Sequence, residues 1–107
     1  MIFMNEYEVE RQAARYDSVN TPNLYTAAQV LYAVMSWVNS NSDGWPYWQA
    51  PQKATQRLQA ILWNVSPFDP NPTDISDADL KKALTPIKSF LTRKGARFDD
   101  VVAGMFI

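Results

Sequence analysis

The residues from 39 to 44 have the types and spacing of the first half of a calcium-binding loop. Oxygen ligands stand at loop positions 1, 3 and 5, and glycine stands at position 6: Asn39, Asn41, Asp43 and Gly44. Position 12, where such a loop needs a bidentate glutamate, is Ala50, and Pro46 interrupts the turn. One carboxylate carries too little charge to hold calcium. The sequence therefore predicts a helix end and a tight Asp-Gly turn, with no metal and no cofactor.

Catalytic chemistry is restricted by the complete absence of histidine and cysteine. The commonest general base and the thiol nucleophile are both missing, which removes Ser-His-Asp and Cys-His mechanisms. Two carboxylate pairs remain, Asp77 with Asp79 and Asp99 with Asp100. Residues one or two positions apart on a helix do not face each other, and acids are favourable in a first helical turn. We therefore predict no enzymatic activity and no catalytic residue.

Basic residues are concentrated in the C-terminal third of the chain. The members of this group are Lys81, Lys82, Lys88, Arg93, Lys94 and Arg97. Such a group is usually a solvated helix face, but it is also where nucleic acid would bind. A second nucleic-acid reading uses the helix at 52 to 64, through Gln52, Lys53, Gln56 and Arg57, beside aromatic residues that could stack on bases. The net charge of -1 and pI near 5.2 weaken both readings, so a small nucleic-acid-binding regulator is our alternative function.

Aromatic and apolar residues in two places are candidates for binding a protein partner: Trp45, Tyr47 and Trp48 in one loop, and Met105 and Phe106 near the end of the sequence. Tryptophan and tyrosine often anchor protein interfaces. Loop tryptophans also fold back over helix ends, and for Trp45 and Trp48 the two interpretations carry equal weight.

The function that we expect from these patterns is a non-enzymatic protein-interaction domain that binds another protein or its own copy. A regulator or inhibitor of a cellular or host protein is one concrete form of it. Small helical proteins without histidine, cysteine or a catalytic constellation recur among accessory proteins of phages and mobile elements.

The elements that must position these residues are predicted to be helices only. The 107 residues suit one domain, and the pattern predicts a compact all-α bundle of four to five short helices with a Trp-rich loop between helices 2 and 3. The helical segments are predicted at about 5–17, 22–40, 51–65, 76–84, 86–94 and 97–106. A strand that pairs the apolar segments 1–3 and 104–107 is the alternative at the two ends.

Local signals give the predicted helix boundaries. Asn5 with Glu8, and Ser76 with Asp79, have the spacing of capping boxes, and Gly95 suits the position after a helix. Thr21-Pro22 and Thr85-Pro86 both resemble a helix start with proline at the first position. We therefore favour two helices over one kinked helix between 76 and 94.

The apolar spacing predicts which helix is central and which faces are buried. The segment at 22–40 is apolar most of the way round, which favours a helix buried on several sides. In the next helix the predicted buried stripe is Leu58, Ile61, Leu62 and Val65, and the predicted polar positions are Lys53, Gln56, Arg57 and Gln59. Trp37 and Trp63 are predicted to belong to the core.

The beginning of the sequence has acids where a signal peptide needs bases, and the longest near-apolar run, at 30–38, is too short to span a bilayer. We therefore expect a cytoplasmic location and no membrane partner.

Overall fold

Four helices follow one another in the computed structural model, which describes residue 11 and the ranges 13–41, 49–65 and 68–103. They are α1 (Pro22–Asn41), α2 (Gln49–Trp63), α3 (Asp77–Arg93) and α4 (Phe98–Ala103). No strand occurs in these ranges, so the predicted all-α fold is confirmed. The radius of gyration is 13.3 Å, close to the roughly 13 Å expected for a compact chain of about 100 residues. The Trp-rich loop between the second and third predicted helices lies outside the described residues.

The central helix of the bundle is α1, as the apolar pattern predicts. It packs against α2, α3 and α4. Small and branched apolar side chains let the other helices approach from several directions, and the buried residues are Leu24, Ala27, Ala28, Val30, Leu31, Ala33, Val34, Met35 and Val38. A helix with so many buried positions depends on tertiary packing more than on its own propensity.

The start of α1 is held by a residue from a distant part of the sequence. The Thr21 backbone carbonyl accepts the first helical hydrogen bond, from the Tyr25 N–H at 2.8 Å. Its hydroxyl is occupied with the backbone of Asp17. The first N–H groups are instead satisfied by Asp74, whose carboxylate accepts from Asn23 at 3.1 Å and from Leu24 at 2.8 Å. A negatively charged carboxylate at the N-terminus of a helix also interacts favourably with the helix dipole.

A tight turn built on Asp17 precedes α1. The Asp17 carboxylate accepts hydrogen bonds from the backbone N–H groups of Asn20 and Val19 and from the Asn20 side-chain amide. These bonds, the one from the Asn20 backbone first, lower the pKa of Asp17 because they favour the charged form. The turn also ends the preceding helix, because Arg11 and Ala13 are helical and Tyr16 and Asp17 are not. The predicted helix at 5–17 therefore ends too late, and most of it lies outside the described residues.

Removing the Asp17 carboxylate should weaken the fold in a pH-dependent way. Because the folded pKa lies below the unfolded value of about 3.9, this stabilisation is complete above that value and is lost as pH falls through the folded pKa. We expect Asp17→Ala to melt below the wild type at pH 7, and the difference to shrink below about pH 4. Thermal unfolding followed by circular dichroism across pH 2–7 measures this, with the neighbouring exposed Ser18→Ala as control. A difference that does not change with pH would contradict it.

Both ends of α3 follow the sequence signals. The Ser76 hydroxyl accepts from the Asp79 N–H at 3.1 Å, which confirms the N-cap. At the other end Gly95 has a φ of 80°, a value that glycine adopts without strain. The Ala96 N–H donates to the Leu91 carbonyl at 2.9 Å, and the Gly95 N–H donates to that of Thr92 at 3.0 Å. These two bonds form a Schellman motif, as expected for glycine at this position.

Pro86 does not begin a new helix, so the prediction of two helices between 76 and 94 is wrong. It lies inside one continuous α3. A proline at this position supplies no N–H to the carbonyl of Lys82, and that loss alone would favour a break. The apolar face is continuous across it, with Ala83 before and Ile87, Phe90 and Leu91 after, all buried. Packing of that face against the core outweighs the missing hydrogen bond.

The buried face of α2 is rotated from the one that the apolar stripe predicts. Ala54, Leu58 and Leu62 are buried together with two polar residues, Thr55 and Gln59. The Gln59 amide donates to the Thr55 hydroxyl at 2.9 Å, so these polar groups are bonded inside the core. The prediction that Gln59 is a polar surface position is therefore wrong, because Gln59 is 1% exposed.

Trp63 lies on the other side of α2 as a result. Its side chain is 47% exposed, so its predicted place in the core is also wrong. Trp37 agrees better with its prediction, because it packs against the core and meets Phe90 edge to face at 6.4 Å between ring centroids.

The remaining predicted boundaries differ by a few residues. Helix α2 begins two positions before Pro51, which still falls in the first turn, where N–H groups have no helical acceptor. The predicted last helix at 97–106 is described only as α4, and the strand alternative at 1–3 and 104–107 lies outside the described residues. Among the described helices, each is too short or too polar to cross a bilayer.

Candidate functional site

A concave surface whose described charged residues are all cations lies between α2 and α3. It is a groove of about 730 Å³ that opens to solvent. We call it the α2–α3 groove, and its lining residues are Lys53, Gln56, Arg57 and Ala60 from α2, and Lys82, Thr85 and Pro86 from α3. Three of these side chains are cations, two are neutral polar groups, and none is an acid.

Helical geometry explains why the α2 side of the groove is basic. Lys53, Gln56, Arg57 and Ala60 recur at intervals of three and four residues, which places them on one face. The opposite face carries Ala54, Leu58 and Leu62 into the core. The side chains of Lys53, Gln56 and Arg57 are exposed and Ala60 is half-buried. The polar ends of the three long side chains therefore reach solvent.

On the α3 side the groove is lined by Lys82, Thr85 and Pro86. Thr85 donates from its hydroxyl to the Lys81 backbone carbonyl at 2.9 Å. This bond satisfies the hydroxyl within α3. The groove wall is thus a rigid helix face rather than a loop, which favours a preorganised site.

Trp63 extends the groove surface along α2. It follows Gln56 by seven residues and Ala60 by three, so it lies on the same helix face. Two other large apolar side chains are exposed among the described residues, Val19 at 83% and Phe68 at 91%. Neither belongs to α2 or α3, so Trp63 is the exposed aromatic residue that shares a helix face with the groove.

The six C-terminal bases are all exposed. Those that line a recess are divided between the α2–α3 groove and two adjoining recesses next to α4, which share Arg97. Lys82 lines the α2–α3 groove. Lys88 lies on the α4 side of α3, with its Nζ 5.0 Å from the Phe98 ring centroid. Lys94 and Arg97 line a separate recess of about 510 Å³ that also contains Asp100. The structure therefore brings one of the six to the cations of α2.

Most of the described acidic residues lie at, or hydrogen-bond to, the N-terminus of a helix. Asp74 holds the start of α1, and Asp77 accepts from the Asn23 amide at 2.7 Å. Asp77 and Asp79 lie in the first turn of α3, and Asp99 and Asp100 in the first turn of α4. Within the described ranges, no group of three or more acidic, histidine or cysteine side chains could hold a metal ion.

The calcium-like pattern begins inside a helix. Asn39 and Asn41 are residues of α1, and the Asn41 side-chain amide donates to the Trp37 backbone carbonyl at 2.8 Å. They therefore complete a helix C-terminus, and Asp43 and Gly44 lie outside the described residues. The predicted partner-binding residues Trp45, Tyr47, Trp48, Met105 and Phe106 also lie outside them.

Sequence reasoning recognised Lys53, Gln56 and Arg57 as one helix face and Lys82 as part of another group. It did not join them, because their proximity depends on how α2 packs against α3. The spacing of four residues between Lys53 and Arg57 was the sequence signal that could have indicated a cationic site on this helix.

No protein-family model, no curated protein and no solved structure matches this chain.

Proposed function

We propose that this chain is a small, non-enzymatic protein-interaction domain and that its partner binds the outer face of α2. The observation that carries the proposal is the exposure of Trp63 beside Gln56 and Ala60, at the edge of an outer α2 surface whose other edge presents Arg57. Tryptophan and arginine are enriched among the residues that dominate the energetics of protein interfaces. A regulator or inhibitor that acts by covering part of another protein needs such a surface and no catalytic group.

The expected contribution of Trp63 is large for one side chain. A tryptophan buries roughly 150–250 Å², and 47% of the Trp63 side chain is still exposed. Covering about 80 Å² at roughly 25 cal/mol per Å² contributes about 2 kcal/mol, or roughly 30-fold in affinity. Because α2 is a packed helix, little conformational entropy is lost when a partner covers this face.

The aromatic residues Trp45, Tyr47 and Trp48 and the apolar Met105 and Phe106 stay predictions as further contacts. They belong to the same proposal, since the partner is either another protein or a second copy of this chain.

A nucleic-acid-binding regulator that uses the C-terminal basic residues is the second candidate function, and the exposure of all six of these residues favours it. If it is correct, affinity for a short duplex or single strand must fall steeply as salt is added. Absence of binding at low salt would exclude it.

The proposal is tested by capture of the partner with two matched variants. Trp63→Ala removes the exposed aromatic residue on α2, and Phe68→Ala removes an exposed aromatic residue elsewhere. We expect the partner, identified by affinity capture and mass spectrometry, to bind Trp63→Ala roughly 30-fold more weakly and Phe68→Ala with nearly unchanged affinity. Both variants should keep the wild-type melting temperature within a few degrees, because Phe68 is almost fully exposed and Trp63 is about half exposed rather than part of the buried core.

Equal binding of the partner by wild type and Trp63→Ala would show that α2 is not the interface. A large fall in the melting temperature of Trp63→Ala would assign the side chain to the core instead.

A further inference from the structure

The composition of the α2–α3 groove is unusual for this chain. The whole sequence has 10 bases and 11 acids, yet the described residues that line the groove include three cations and no acid. Lys53 and Arg57 are one helical turn apart, where like charges repel each other. A negatively charged ligand would remove this repulsion and form charge-assisted hydrogen bonds, which are stronger than neutral ones.

The spacing of the cations limits the shape of the ligand. Lys53 and Arg57 differ by four residues, which is a rise of about 6 Å along α2. Two carboxylates at i and i+4 of a partner helix have the same rise of about 6 Å. Lys82 reaches the same groove from α3, so a helix lying along the groove would meet cations on both of its sides.

Nucleic acid fits this groove less well than a protein segment. A strand needs a continuous basic path, but Lys88, Lys94 and Arg97 line two adjoining recesses next to α4 that share no residue with this groove. The two recesses next to α4 also contain an acid, Asp99 in one and Asp100 in the other. A cluster of three cations matches a compact group of carboxylates better than a long row of phosphates.

We propose that the α2–α3 groove binds an acidic helix of the partner protein. Two carboxylates at i and i+4 pair with Lys53 and Arg57, and Lys82 contacts them from the α3 side. An apolar residue of the partner helix, about two turns away, covers Trp63, which lies about 9 Å beyond Arg57 along α2 and on the Gln56 and Ala60 side of the groove. This inference rests on the proposed protein-interaction function and names the chemistry of the partner at that surface.

The test uses two synthetic helical peptides of identical composition. One has glutamates at i and i+4 with a leucine about two turns further along. Its isomer has the glutamates at i and i+2, which places them on different faces. Fluorescence anisotropy should show that the wild-type protein binds the first peptide at least tenfold more tightly than the isomer.

Charge exchange then identifies the groove as the site. The double variant Lys53→Glu/Arg57→Glu should lose binding of the acidic peptide and gain binding of a peptide with lysines at i and i+4. The control Lys81→Glu/Lys88→Glu has the same change in net charge on exposed positions that do not line the groove. It should bind the acidic peptide within about twofold of the wild type, and melting temperatures establish that all variants are folded.

Three results would overturn the inference. They are equal binding of the two isomers, equal loss of binding in the control variant, and tighter binding of a single-stranded or duplex oligonucleotide than of the peptide. If the peptide fails but capture of the partner still depends on Trp63, the acidic helix is wrong and the protein-interaction function stands. If capture does not depend on Trp63 either, both proposals fail.

Discussion

Phe90→Ala should lower the free energy of unfolding by about 3–5 kcal/mol, the range for removal of a buried aromatic ring. Phe90 is 1% exposed and is the largest of the fully buried side chains in the described chain. Its ring also meets Trp37 edge to face, a contact worth about 0.5–1.5 kcal/mol beyond burial. Domains of this size have total stabilities of about 5–15 kcal/mol, so the variant would keep only part of its stability or unfold.

The measurement is chemical denaturation of the wild type and the variant at 25 °C. Phe68→Ala is the matched control, because the same atoms are removed from a side chain that is 91% exposed. Its free energy of unfolding should change by less than about 1 kcal/mol. Similar losses in the two variants would mean that the ring of Phe90 does not occupy the core.

Pro86→Ala should stabilise the protein by about 2 kcal/mol. A proline in a helix interior costs about 3 kcal/mol relative to alanine, and Pro86 lies well inside α3. Alanine restores an N–H that can donate to the Lys82 carbonyl. Part of the gain is offset because proline restricts the unfolded chain, by about 0.4–1 kcal/mol. The melting temperature should rise by about 4–8 °C for each kcal/mol gained.

Pro22→Ala is the control for this prediction, because Pro22 is the first residue of α1 and no helical acceptor precedes it. It should give no stabilisation. Pro86→Gly should give less than Pro86→Ala, since glycine is about 1 kcal/mol less favourable in a helix. A melting temperature of Pro86→Ala below that of the wild type would mean that ring contacts of Pro86 outweigh the missing hydrogen bond.

Local signals account for much of the fold. Ser76, Gly95 and the apolar span of α1 each act through neighbours in the sequence, and the structure confirms each of them. Their physical effects, namely capping, left-handed backbone and apolar periodicity, need no knowledge of the rest of the molecule.

The errors come from interactions between distant residues. Pro86 locally favours a helix start, but the buried face that runs through it decides in favour of one helix. Gln59 is polar, but its hydrogen bond to Thr55 permits the burial of both side chains. With this face of α2 in the core, Trp63 is exposed. Both outcomes depend on which surface meets the core, and spacing along one helix does not contain that information.

The candidate site also depends partly on local sequence signals and partly on packing between distant residues. The sequence indicates that Lys53 and Arg57 share a helix face, and it indicates a basic group that contains Lys82. Their meeting in one groove is a result of the packing of α2 against α3. The exposure of Trp63 next to it follows from the rotation of α2, which the apolar stripe did not reveal.

The hydrogen bonds from Asn23 and Leu24 to Asp74 span 51 and 50 positions of the sequence. In polymer terms they close a loop that contains almost all of α1, the whole of α2 and the segment that leads to α3. The entropic cost of closing a loop grows only with the logarithm of its length, at about 0.6 kcal/mol for each doubling. Five residues added between α1 and α2 would therefore change this cost by about 0.1 kcal/mol. Variation in length inside the loop is thermodynamically inexpensive, provided that the carboxylate at its closing point is kept.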